Sequence, residues 1–164
     1  MREEAESVTQ GRQSLTFHSE RYGTLEISEE QIYRFEKGII GLQEIRRYAL
    51  IQLDNFPFSI LHALDAQISF IVIPAAQVVD NYGFHIDDET AELLGAERPE
   101  EVATWLIVNV IEDQVYVNLK APVLLSPAHR SGVQFIIHDQ ELPIRHPLIR
   151  ASKEGAAEDR KSTR

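Results

Sequence analysis

Cysteine is absent from this chain of 164 residues, and methionine and tryptophan occur only once each. The absence of cysteine excludes disulfide bonds and thiolate metal ligands, and it is compatible with a reducing compartment. No apolar run approaches the roughly 20 residues that a membrane-spanning helix requires. The first residues, Met-Arg-Glu-Glu, contain no apolar segment of the kind found in signal peptides. These absences predict a cytoplasmic protein.

Positive charge is also scarce, since 16 Lys and Arg residues stand against 26 Asp and Glu residues, a net charge of −10. Residues 15–150 carry 10 of the basic and 20 of the acidic residues, so the whole net charge belongs to this region. An acidic field of this size repels nucleic acid and anionic membranes, and it suits a basic protein partner. On charge alone, solubility is the simpler explanation, since many soluble proteins are acidic. We therefore expect no direct nucleic-acid binding and no membrane binding.

The two ends of the chain differ in composition from its centre. Residues 1–14 and 151–164 are polar and rich in small side chains. Such segments cannot bury enough apolar surface to offset the entropy lost on ordering. We predict two disordered tails around one domain, residues 15–150, which is long enough to bury a core of its own.

The centre of the chain consists mostly of short apolar or alternating runs of strand length. Trp105 begins the most apolar of them, residues 105–111, which we expect to be buried on both faces. One helical insert is predicted around residues 88–104. Asp87 or Asp88 can cap a short helix that ends at Gly95, and Pro99 can begin a second over residues 100–104. The pattern predicts a mainly all-β fold, a small antiparallel β-barrel or sandwich.

Motifs for catalysis or metal binding are missing. The six histidines include no pair with metal-ligand spacing, and no nucleophile elbow occurs. The cluster Asp87-Asp88-Glu89 is typical of carboxylates at a helix N-terminus. We expect no enzyme activity, no metal and no cofactor. RNA binding also fits poorly, because barrels that bind RNA need a basic groove with exposed aromatic side chains.

Three short motifs stand out in the sequence. They are F-E-K-G-I-I-G-L at residues 35–42, N-L-K-A-P at residues 118–122 and P-I-R-H-P-L at residues 143–148. The two prolines of the last motif predict a stiff, extended strap. In this order the motifs resemble those of the flagellar assembly factor FliW family, over about residues 15–149. At three positions this chain has an aliphatic residue where the family often has an aromatic one, namely Leu42, Leu142 and Ile149.

The resemblance implies a function without catalysis. FliW-like proteins bind flagellin in the cytoplasm. When flagellin is secreted, the released protein binds and antagonises the translational regulator CsrA, which relieves repression of flagellin mRNA. We expect the free protein to be a monomer. The alternative is a small-barrel module that binds an unknown metabolite or carbohydrate.

The motifs and the acidic cluster supply the candidate site residues. Candidates for partner contact are Phe35, Lys37, Ile39, Asp87, Asp88, Lys120, Arg145 and His146. Other motif residues are candidates for a structural role, in which they fix the conformation of the backbone. They are Gly38, Gly41, Asn118, Pro122, Pro143 and Pro147. Both roles remain open for Lys37, Lys120, Arg145 and His146, and Arg145 could instead pair with a carboxylate inside the protein. Ile144 and Leu148 are the expected apolar anchors of the strap.

Overall fold

The fold is mainly β-structure, as the sequence predicts. The computed structural model describes residues 14–54 and 57–148. The predicted disordered tails lie outside these residues, except that Ser14 already belongs to the first strand. The strands are β1 (Ser14–Ser19), β2 (Gly23–Ser28), β3 (Ile32–Arg34), β4 (Arg47–Gln52), β5 (Ser59–Ala63), β6 (Ser69–Pro74), β7 (Ala103–Ile111), β8 (Gln114–Val117), β9 (Val123–Ser126), β10 (Ser131–Gln134) and β11 (His146–Pro147).

Seven of these strands close into a barrel. The order is β7-β6-β5-β4-β3-β10-β9, and β9 pairs with β7 again to complete the ring. The pairings in the ring are antiparallel except that of β3 with β10, which is parallel through Arg34 and Ser131. The predicted antiparallel barrel is therefore confirmed with one parallel exception, the short contact of β3 with β10.

The long strand β7 has two different neighbours along one edge. Its first residues pair with β9, from Ala103 to Trp105, whereas its last residues pair with β8, from Val108 to Ile111. The end of β7 therefore forms an arm with β8, past the point where β9 closes the barrel. For this reason Val110 is 61% exposed. The expectation that residues 105–111 are buried on both faces holds only for the middle of the strand.

A separate hairpin of β1 and β2 lies against the barrel wall. His62 in β5 is buried, and its Nε2 lies 2.8 Å from the hydroxyl oxygen of Ser19 at the end of β1. The ring of Phe17 meets the imidazole edge-on, with the ring centres 5.1 Å apart. Ile27 of β2 is also buried. These contacts bind the hairpin to the barrel by both polar and apolar groups.

The helical insert precedes β7. Helix α1 (Asp88–Leu94) begins after Asp87, whose carboxylate accepts a hydrogen bond from the Thr90 amide at 2.8 Å, and ends at Gly95 with φ +72°. The second predicted helix is only a 3₁₀ turn, Pro99–Glu101. It stops there because Ala103 and Thr104 already pair with β9. Among the described residues, no helix has the length and apolar character needed to cross a membrane.

Candidate protein-interaction surface

The first motif forms a tight loop after β3, and two of its candidate residues belong to the core. The side chain of Phe35 is fully buried and meets the ring of Tyr48 edge-on at 5.2 Å. A Cβ atom on Gly132 would lie 2.5 Å from this ring, so the ring fills the space that the glycine leaves open. Ile39 is also buried. Because neither side chain is exposed to solvent in this conformation, we leave both out of the candidate interface.

The two glycines of the loop adopt backbone conformations that other residues rarely adopt. Gly38 has φ +67° and Gly41 has φ +88°. A Cβ atom on Gly38 would lie 2.6 Å from the Cα atom of Gln43, whereas one on Gly41 would meet no atom within 4 Å. Gly38 is therefore restricted by both conformation and space, and Gly41 by conformation alone.

Lys37 connects this loop to the acidic helix. Its ammonium group forms an ion pair with Glu89 in the first turn of α1. The pKa of Asp87 lies below its ordinary value, chiefly because of hydrogen bonds with Thr90 and to a smaller extent because of the charge of Lys37. Two candidate regions that are distant in sequence thus lie side by side on the protein surface.

The second motif is a turn fixed by its own side chains. The amide oxygen of Asn118 accepts hydrogen bonds from the backbone N–H groups of Lys120 at 3.0 Å and Ala121 at 3.1 Å. The ammonium group of Lys120 donates to the carbonyl oxygen of Ile137 at 3.0 Å. Pro122 is buried, and its carbonyl oxygen accepts from the Phe135 amide at 3.0 Å. The described contacts of Asn118 and Lys120 are therefore with the protein's own backbone.

Gln134 joins the first motif to the second. Its side-chain oxygen accepts from the Ile40 amide at 3.0 Å, and its side-chain nitrogen donates to the Ala121 carbonyl at 3.1 Å. Sequence reasoning missed this residue. No local pattern marks it, because its two partners lie 94 and 13 residues away.

The third motif is an ordered strap along β8. The Leu119 amide donates to the Pro143 carbonyl at 3.1 Å, and the Leu148 amide donates to the Val115 carbonyl at 2.8 Å. Between them, β11 pairs with Tyr116 and Val117. The expected anchor at Ile144 is wrong, because its side chain is 57% exposed, while Leu142 and Leu148 pack against the core. Ile144 lies in a bend ahead of β11, outside the paired residues, and its side chain faces solvent.

The two basic residues of the strap differ in exposure. Arg145 is exposed, and His146 is half-buried in β11. In the part of the chain that the structure describes, no carboxylate forms an ion pair with Arg145, so the internal pairing considered above is not found there. Its guanidinium is therefore available on the surface.

The net charge is concentrated in one segment. Residues 80–101 contain eight carboxylates and one basic residue, Arg98, a net charge of −7 out of −10 for the chain. Seven of the eight acidic residues are exposed. Arg98 forms an ion pair with Glu101 at 3.5 Å. The pKa of Glu101 is lowered, first by a hydrogen bond from the Glu97 amide and then by Arg98. We call residues 80–101 the acidic segment.

Metal binding finds no support in the described residues. No group of three or more His, Asp or Glu side chains there is arranged to hold a metal ion. The acidic side chains of α1 lie along its surface, where Asp87 caps the helix and Glu89 pairs with Lys37. The arrangement offers a charged face to a macromolecule rather than a ligand cage.

Comparisons with known proteins agree with this architecture. A family model described as "FliW protein" matches residues 16–148. A flagellar assembly factor FliW from Caldicellulosiruptor saccharolyticus is 34% identical over 140 residues, which cover 84% of this chain and 92% of that protein. The flagellar assembly factor FliW of Bacillus subtilis is 30% identical over 138 residues, which cover 82% and 96% of the two chains.

A solved structure gives the same result at the level of the fold. The crystal structure of a flagellar assembly factor FliW superimposes with a TM-score of 0.77 at 30% identity, covering 83% of this chain and 98% of that one. The family match spans most of the chain and includes the three motifs, which the structure joins into one network. The chain therefore belongs to the FliW family of flagellar assembly factors.

Proposed function

We propose that this protein binds flagellin in the cytoplasm and that, when released, it binds and antagonises CsrA and so relieves repression of flagellin mRNA. Family membership supports a role in flagellar assembly. The observation that carries the regulatory half of the proposal is the exposed acidic segment, with its net charge of −7. The protein acts by binding, without catalysis or cofactor, and it is a monomer when free.

The charge suits a partner that binds RNA. Such a partner must be basic where it contacts RNA, because neutralisation of phosphates drives that binding. The acidic segment attracts this basic surface from a distance and raises the rate of association. Once bound, the same carboxylates repel RNA from the region around them, even where they do not cover the RNA site. Affinity then depends on a few apolar or aromatic contacts.

Solvent exposure guides our choice of contact residues among the candidates. Asp87, Asp88 and Arg145 are exposed, and Lys37 is exposed although it pairs with Glu89. We propose that these residues contact partners. Lys120 and His146 are half-buried and bonded to the protein's own backbone, which favours a positioning role for both. Gly38, Gly41, Asn118, Pro122, Pro143 and Pro147 maintain the loops that carry the contact residues.

Capture from a cytoplasmic extract, followed by a gel-shift assay, tests the proposal. Immobilised full-length protein should retain both flagellin and CsrA from a cytoplasmic extract. In a gel-shift assay, the protein should release flagellin mRNA from CsrA, and added flagellin should restore the RNA complex. Capture of neither protein would contradict the proposal and favour a module that binds a small molecule. Capture of flagellin alone would support the role in assembly and contradict the role in regulation.

A further inference from the structure

An open cleft of about 450 Å³ lies within the acidic segment, between the irregular stretch 82–86 and the helical insert. Its lining is mainly apolar and includes Phe84, Ile86, Ala91, Ala96 and Val102. Glu97 and Arg98 also border it. The cleft thus combines an apolar interior with surroundings of strong negative charge.

One wall of the cleft is held in place by contacts outside it. Phe84 stacks on Phe135 with ring centres 5.9 Å apart and meets Tyr82 edge-on at 5.4 Å. The hydroxyl of Tyr82 donates to the Leu119 carbonyl at 2.6 Å. The side-chain nitrogen of Gln140 donates to the Gly83 carbonyl at 2.7 Å. This wall is therefore preformed, which reduces the entropy lost when a partner binds.

The opposite wall is equally constrained. Helix α1 is capped at its start by Asp87 and ends at Gly95, whose amide donates to the Glu92 carbonyl at 3.1 Å. The Ala96 amide donates to the Ala91 carbonyl at 3.1 Å. Both alanines line the cleft, so their small side chains leave its interior open between two fixed walls.

We propose that this cleft is the docking site for an apolar side chain carried on a basic protein surface. Under the proposed function, on which this inference rests, that surface belongs to CsrA. Charge complementarity identifies the partner's chemistry, since seven of the chain's ten net negative charges lie on the segment that forms the cleft. The apolar lining provides the buried anchor contact that electrostatic attraction alone does not supply.

Other occupants fit less well. A second copy of this chain would bring the same acidic segment and would be repelled by like charge. Residues 149–164 of this chain carry a net charge of +2, but Ile149 is their only large apolar side chain. Nucleic acid is repelled by the same carboxylates. A basic partner with an apolar anchor satisfies both the lining and the charge.

The substitution Ala96→Trp tests the inference by filling the cleft without removing a core contact. The matched control is Ala76→Trp, which adds the same side chain at an exposed alanine in a neighbouring cleft. We expect Ala96→Trp to weaken CsrA binding at least about tenfold, mainly through faster dissociation, and Ala76→Trp to leave binding unchanged. Circular dichroism of both variants checks that they remain folded.

A second pair of variants applies if Ala96→Trp does not fold. Glu97→Lys at the cleft should slow association with CsrA several-fold, whereas Glu26→Lys on the separate β1–β2 hairpin should change it much less.

If the wild-type protein binds CsrA and a folded Ala96→Trp variant binds it equally well, the docking site is overturned and the proposed function is left intact. Failure of the wild-type protein itself to bind CsrA would overturn both. A self-association that Ala96→Trp abolishes would show that a second copy occupies the cleft.

Discussion

Lys37 and Glu89 form an ion pair that joins the loop after β3 to the first turn of α1, although 52 residues separate them in the chain. The pair places a basic residue of the first motif at the border of the acidic segment. The lysine neutralises Glu89, and its charge also contributes to the lowered pKa of Asp87. The loop and the helix therefore form one continuous surface.

We expect this ion pair to contribute little to stability. The two side chains are 61% and 64% exposed, and exposed ion pairs contribute about 0–1 kcal/mol. Glu89→Gln should therefore lower the free energy of unfolding by less than about 0.5 kcal/mol in urea denaturation. The control Glu92→Gln removes a charge from the same helix without removing this pair. A loss above about 1.5 kcal/mol for Glu89→Gln alone would show that the pair holds the loop in place.

Asp87 should stabilise helix α1 in a manner that depends on pH. Its carboxylate caps the helix through Thr90, and loss of such a cap costs about 1 kcal/mol. Asp87→Ala should show this loss at neutral pH, whereas the neighbouring Asp88→Ala should cost less. Thermal unfolding followed by circular dichroism measures both.

The direction of the pH effect follows from the lowered pKa of Asp87. A carboxylate whose pKa is lower in the folded state stabilises the protein above its unfolded pKa and loses that contribution as pH falls through the folded pKa. The difference between wild type and Asp87→Ala should be full at about pH 6 and should shrink as pH falls below about 4. A difference that grows in acid would contradict this role.

The two glycines of the first motif should differ in their tolerance of alanine. Gly38→Ala adds a Cβ atom 2.6 Å from the Cα atom of Gln43, in addition to the cost of φ +67°. Gly41→Ala adds only the cost of positive φ. We expect a loss of about 1 kcal/mol for Gly41→Ala and at least about twice that for Gly38→Ala. Equal losses in chemical denaturation would show that the loop shifts to accept the new side chain.

The strap should depend on Leu148 rather than Ile144. Leu148 packs against the core and donates a backbone hydrogen bond to Val115, whereas Ile144 is exposed. Leu148→Ala should cost about 1–3 kcal/mol, and Ile144→Ala less than about 0.5 kcal/mol. Amide exchange provides a second measurement, since the Leu148 amide should exchange slowly. Rapid exchange at Leu148 would show that the strap detaches from β8.

Local patterns in the sequence predicted the strands and the capped helix. Asp87 and Gly95 mark the ends of α1 because capping depends only on residues a few positions apart. The motifs led to the family because they kept their order and spacing. The barrel was predicted only as one of two architectures, since the closing pair of β7 with β9 is a long-range contact without a local signal.

The features that the sequence does not reveal share a physical cause, their dependence on tertiary packing. Apolar character alone predicts an anchor at Ile144, but this residue lies in a bend ahead of β11 and is exposed. Phe35 and Ile39 were candidates for partner contact because they belong to a motif, although their burial depends on tertiary packing. Gln134 was missed because it acts between segments that only the fold brings together. The concentration of charge in residues 80–101 can be counted from the sequence, but the exposure of seven of its eight carboxylates depends on the fold.

The central claim is that the acidic segment attracts CsrA. Triple substitution of Asp87, Asp88 and Glu89 by lysine tests it most directly, with kinetics measured from low salt to about 0.5 M, where charges are screened over a few ångströms. Wild-type association should slow markedly as salt rises, while dissociation changes less. The variant should associate slowly at low salt and respond much less to added salt. An association rate of the wild-type protein that is indifferent to salt would contradict electrostatic attraction as the mechanism.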